Sequence, residues 1–175
     1  MKKIKRGTLI VIACILLLTV AVAVFAIVGA GDIGIKRELE MKAQFAIKYN
    51  DIERLVTMQD IINLRPAEFD AVLNTSNTGP TDVKFTGVEL SKICENKGFD
   101  ISCAQVLEVR ALDGYSSALT VDEALEEDNV YICIYMNGEA LKPKGEGGFG
   151  PYMMVIRSSA YSQRWCKYVQ EVVIR

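Results

Sequence analysis

The chain has 175 residues, 50% of them hydrophobic, with 20 basic residues, 22 acidic residues and no histidine. Four of the basic residues fall within Met1–Arg6 and every acidic one follows Gly31, so the remainder holds 22 acidic against 16 basic residues, a net charge of −6. That balance excludes a nucleic-acid partner, which calls for a basic stripe. The missing histidine removes the commonest general base and soft-metal ligand.

From Gly7 to Gly31 the chain runs 25 residues without a charge, longer than the roughly 20 that cross a hydrocarbon core as a helix. With Lys2, Lys3, Lys5 and Arg6 ahead of it, the run predicts a single-pass anchor in the cell membrane, N-terminus cytoplasmic and the rest extracytoplasmic. A cleaved signal peptide is the competing reading, since Val28-Gly-Ala30 resembles a cleavage site. Signal h-regions are shorter, however, about 7–15 residues. Val11-Ile-Ala-Cys14 resembles a lipid-attachment box, yet Cys14 lies inside the apolar run and reads as a small residue of a membrane helix. The expected organisation is a basic cytoplasmic segment at 1–6, an anchor at 7–31, a linker or stalk at 32–44, and one domain with one core at 45–175. The expected partners are the membrane, through 7–31, and a membrane or extracytoplasmic protein.

Within the domain, Phe45–Tyr49 reads as a first strand ended by an Asn50-Asp51 turn. Thr57 and Asp60 form a capping box for a short helix carrying Ile61, Ile62 and Leu64, which Pro66 stops. Phe69–Asn74 alternates as a strand, 75–80 is a polar turn, and Asp82–Phe85 is its paired strand. After Gly87, Leu90, Ile93 and Cys94 recur at helical spacing on one buried face. Gln105–Leu112 is a strand, Asp113-Gly114 a tight turn, and Thr120 with Glu123 a second capping box opening a helix over Val121–Glu126. Val130–Met136 carries apolar residues on both faces, as an interior strand does. Asn137-Gly138 is a hairpin turn, Lys142–Gly150 a glycine-rich loop, and Tyr152–Arg157 and Val169–Arg175 are strands. Helices interspersed with hairpins break strict βαβ alternation, so the fold class is α+β.

Chemistry is harder to place. Cys94, Cys103, Cys133 and Cys166 are separated by 8, 29 and 32 residues, which matches no compact metal motif. One or two disulfides and four buried thiols both remain open. The loop Gly145–Gly150 offers backbone N–H groups to a phosphate but lacks the G-x-x-x-x-G-K-[ST] pattern, and a surface loop is favoured. Asp113 and Tyr115 read as a turn with a ring packed over it, or as the wall of a cleft. Trp165, Lys167 and Tyr168 form an aromatic-basic patch in one reading; a core-anchoring tryptophan before a final strand is the better one.

Five pieces occur in order: Phe85-Thr-Gly-Val-Glu-Leu90; Ala111-Leu-Asp-Gly-Tyr-Ser-Ser-Ala-Leu119 with Glu123-Ala-Leu125; Tyr135-Met-Asn-Gly-Glu-Ala-Leu141; the glycine-rich loop with Pro151; and Trp165-Cys-Lys-Tyr168 with Glu171-Val172. Together they resemble the oxidoreductase molybdopterin-binding domain of the sulfite oxidase family, in a short, single-domain, membrane-anchored form, over residues 45–174. The resemblance implies a β-rich mixed fold with short peripheral helices around a pterin-molybdenum pocket. In enzymes of the family one cysteine, after the strand that precedes the FTGV-like element, holds the metal. Here that place carries Thr75, or alternatively Ser76, and a hydroxyl is a poor substitute for a soft thiolate. Met153 stands where the enzymes carry an arginine, and of their phosphate-holding cations only Lys142 and Lys144 have counterparts. The implied cofactor-facing set is therefore Thr75, Ser76, Asp113, Tyr115, Lys142 and Lys144, with no catalytic residue and no metal ligand. The resulting expectation is a non-catalytic, cofactor-free binding or interaction module. The alternative is a molybdopterin-dependent oxidoreductase that transfers oxygen atoms or electrons through ligation at Thr75 or with a partner subunit.

Overall fold

The computed structural model describes residues 15–20, 43–74, 79–159 and 162–175. The chain divides into two compact units, Met1–Glu40 and Met41–Arg175. Of the first unit only a helical stretch at 15–20 is described. Among the described residues no helix is long and apolar enough to cross a membrane. The expected single-pass topology through 7–31, with its cell-membrane localisation and membrane partner, is corrected on that finding. The rest of 7–31, segment 1–6, and 32–42 of the expected stalk lie outside the described residues.

Among its described residues the second unit has ten strands in two sheets. The first sheet has the order β2-β1-β10-β5-β6, from β1 (Gln44–Tyr49), β2 (Ile52–Thr57), β5 (Val106–Ala111), β6 (Ser116–Thr120) and β10 (Val169–Ile174). Its one parallel pair joins β1 to β10, so the last strand is inserted beside the first. The second sheet runs β3 (Ala67–Leu73), β4 (Thr81–Glu89), β7 (Val130–Met136), with β8 (Glu139–Ala140) and β9 (Met153–Ile156) sharing the far edge of β7. Being interior, β7 is buried from Val130 to Ile134 on both faces. Asn137 (φ 53°) and Gly138 (φ 79°) take the left-handed conformations that a tight β7–β8 hairpin requires.

Among the described residues of this unit, three short α-helices pack against the strands. Both capping boxes form: Thr57 with Asp60 opens α1 (Met58–Asn63), and Thr120 with Glu123 opens α3 (Val121–Leu125). Between them α2 (Leu90–Asn96) buries Leu90, Ile93 and Cys94, the face expected from their spacing. Strands β2 and β6 are additions to the sequence reading. One core joins the sheets, for Phe45 of β1 meets the Tyr152 ring edge-on at 5.0 Å, and the Tyr152 hydroxyl donates to the Ala43 carbonyl at 2.8 Å. Trp165 is 4% exposed, packs edge-on against Phe85 and donates its indole N–H to Ile156 O at 3.0 Å. It is the core anchor that its position suggested. All four cysteines of the domain are free thiols, with Cys94, Cys133 and Cys166 buried and Cys103 exposed.

Candidate functional site

Three stretches distant in sequence line one cleft of about 290 Å³. The end of β3 supplies Leu73 and Asn74, the turn between β5 and β6 supplies Asp113 and Tyr115, and the approach to β10 supplies Ser162, Gln163, Trp165 and Lys167. Segment 162–167 is braced to both sheets. The Ser162 hydroxyl accepts from Asn74 N at 2.7 Å and donates to Val72 O at 3.3 Å, which ties it to β3. On the other side the Tyr115 hydroxyl donates to Gln163 O at 2.6 Å and the Ser117 hydroxyl to Arg164 O at 2.7 Å. Arg164 also donates to Ala118 O at 3.0 Å and grips Glu123, its Nη1 lying 2.6 Å from Oε1.

The turn that carries Asp113 holds itself. Gly114 has φ +87°, its N–H donates to Ala111 O at 3.1 Å, and Asp113 Oδ1 accepts from Tyr115 N at 3.2 Å. The other Asp113 oxygen faces Lys144 Nζ at 3.6 Å, and the same ammonium lies 5.4 Å from the Tyr168 ring centre. Lys167 Nζ sits 3.9 Å from the centre of the Phe149 ring. Burial lowers the Lys167 pKa, and the negative field of Asp113 opposes that shift. Burial, helped by Asp113, pushes the neighbouring Cys166 thiol up to about 12.

Of the residues singled out in the sequence, Asp113 and Tyr115 line the cleft and Lys144 reaches Asp113. Lys142 is exposed and contributes its carbonyl to the loop, accepting from Gly150 N at 2.8 Å. A side chain at Gly148 or Gly150 would collide with the backbone of Lys142 or Leu141, so these glycines serve the loop's own closure. Thr75 and Ser76 lie outside the described residues. Asn74, Ser162 and Gln163 were not singled out; they are ordinary polar residues that only the tertiary fold brings together. Lys167 was visible in its patch, and tight packing of the adjacent Trp165 does not prevent it from facing the cleft. A wider depression of about 650 Å³ shares Asn74 and Trp165. Its cation, Arg157, is already committed to Asp128 and to the Phe69 ring, 5.1 Å away.

The sequence pattern of the oxidoreductase molybdopterin binding domain matches residues 28–175. No curated protein matches the chain. Among solved structures, the sulfane dehydrogenase SoxCD from Paracoccus pantotrophus superposes with a TM-score of 0.63 at 16% identity, over 77% of this chain and 38% of that one. The chain thus spans well under half the length of that relative, and the likeness bears out the expected strand-rich α+β fold with peripheral helices. By the extent of its match, the chain belongs to the family of oxidoreductase molybdopterin-binding domains.

Proposed function

We propose that this domain is a non-catalytic member of its family, a binding module that presents the cleft between Asp113 and Lys167 to a small ligand. The observation that carries this reading is the donor chemistry of the cleft. None of its described lining residues is a cysteine, whereas a soft metal asks for a thiolate. Cys166, beside the cleft, is buried and keeps its proton at neutral pH. A pterin phosphate calls for convergent arginine or lysine donors, but among the described residues Lys167 is the one cation lining the cleft, and the Asp113 carboxylate, also in its lining, repels an anion. The residues described here do not fit a molybdopterin cofactor. That a hydroxyl at Thr75 or Ser76 replaces the metal-holding thiolate rests on the motif resemblance alone.

Molybdenum and pterin content of the full chain, purified from its native host, tests the reading. Far less than one molybdenum per chain is expected. Stoichiometric molybdenum with pterin would overturn it in favour of a molybdopterin-dependent oxidoreductase with atypical ligation.

A further inference from the structure

Subtracting the polar groups that the fold itself consumes leaves a short inventory in the cleft. The Ser162 hydroxyl is taken on both sides, by Asn74 N and Val72 O. The Tyr115 hydroxyl proton is spent on Gln163 O, and the Trp165 N–H on Ile156 O. What remains is the Lys167 ammonium, the Asp113 carboxylate, which keeps accepting capacity beyond Tyr115 N and Lys144, and the side-chain amides of Asn74 and Gln163, which make no hydrogen bond among the described residues.

The two charges are opposite and sense each other, since Asp113 raises the Lys167 pKa against the effect of burial. Yet no ion pair closes between them among the described residues; one Asp113 oxygen accepts from Tyr115 N at 3.2 Å and the other faces Lys144 at 3.6 Å. An ammonium taken partly out of water without a carboxylate or hydrogen-bonding partner is costly, and an incoming anionic group would relieve that cost. A lone anion gains from Lys167 but is repelled by Asp113; a lone cation meets the reverse. A molecule carrying both charges satisfies both walls, and the amides of Asn74 and Gln163 can donate to or accept from either end. The cleft volume, about 290 Å³, lies at the small end of ligand pockets, which run from about 300 to 1,000 Å³, and so suits a compact molecule.

Resting on the reading of the cleft as a binding site, we infer that it takes a compact zwitterion, with a carboxylate directed at Lys167 and an ammonium at Asp113. Trp165, the only tryptophan of the chain, lines the cleft and provides the signal. The full chain is titrated with glycine, β-alanine and γ-aminobutyrate, which separate the two charges progressively, and with propionate and propylamine, which carry one each.

At least one zwitterion is expected to give a saturable change in Trp165 fluorescence, with a Kd about tenfold or more below those of propionate and propylamine. Lys167→Met, which keeps an apolar stem against Phe149, and Asp113→Asn, which keeps the acceptor for Tyr115 N, should each weaken that binding about tenfold without moving the thermal midpoint. Propionate binding as tightly as the best zwitterion would overturn the inference in favour of a simple anion site. So would the absence of a saturable change with all three zwitterions. Molybdenum analysis of the same preparation separates the two levels. A molybdenum-free chain that ignores the zwitterions loses the ligand class alone, whereas stoichiometric molybdenum overturns the binding-module reading as well.

Discussion

At Gly87, strand β4 crosses β7 so closely that a Cβ would lie 2.5 Å from Ile132 O and 2.8 Å from Cys133 Cα. Both obstacles are backbone, and no rotamer change relieves them. Gly87→Ala should therefore cost about 1–3 kcal/mol or more in chemical denaturation. Gly79→Ala, where nothing lies within 4 Å, should stay within about 0.5 kcal/mol. Equal effects would mean that the two strands part freely at Gly87. Cys166 and Lys167 show the same physics with opposite signs. Burial disfavours the charged form of each, so the thiol is pushed up to about 12 while the amine is lowered. The sequence shows both residues, but which way each is pushed depends on a cleft that local sequence does not encode.

Helix α3 is five residues long, too short to stand on propensity, and it is held by its ends. The Thr120 hydroxyl accepts from Glu123 N at 3.2 Å, while Glu123 Oε2 accepts from Thr120 N at 3.0 Å and from Arg164 at 3.1 Å. The cap thus also anchors the segment that walls the cleft. Thr120→Ala should destabilise the domain by about 1 kcal/mol in urea denaturation, with Thr120→Ser restoring most of the loss. If serine does no better than alanine, methyl packing and not capping holds the helix. Elements of this kind were legible because cap and buried face are local signals. Strand β2 was not, since Ile52 to Leu55 are all exposed and show no alternation of burial. In β6 the buried positions include Ser117, whose hydroxyl is satisfied by Arg164 O, so a polar residue occupies an apolar slot and hides the period.

Across the whole domain, one face of the first sheet carries a chain of ion pairs over four strands. Glu53 of β2 meets Lys48 of β1 at 3.5 Å, Lys48 meets Glu171 of β10 at 2.8 Å, and Glu171 meets Arg110 of β5 at 3.5 Å. Arg110 in turn holds Glu108 at 2.8 Å, and Ser116 of β6 donates to Glu108 at 2.9 Å. Hydrogen bonds from Arg110 and Ser116 lower the Glu108 pKa to about 2, and those from Arg164 and Thr120 do the same for Glu123. Both folded values lie below the ordinary glutamate value of about 4.3. Their contribution to stability is therefore complete above that pH and is lost as pH falls from about 4.3 towards 2. The urea midpoint should hold level from about pH 7 to 5 and then drop, less steeply for Glu108→Gln. An unchanged slope in that variant would remove Glu108 from the account. The sequence by itself determined the capped helices, the interior strand β7 and the turn at Asp113, because periodicity, capping and turn chemistry act over a few residues, while its motifs in series carried the resemblance to the family. Only the tertiary structure decided that Asn74, Asp113 and Lys167 share a cleft, because their meeting depends on the last strand entering beside the first and on segment 162–167 being tied to both sheets.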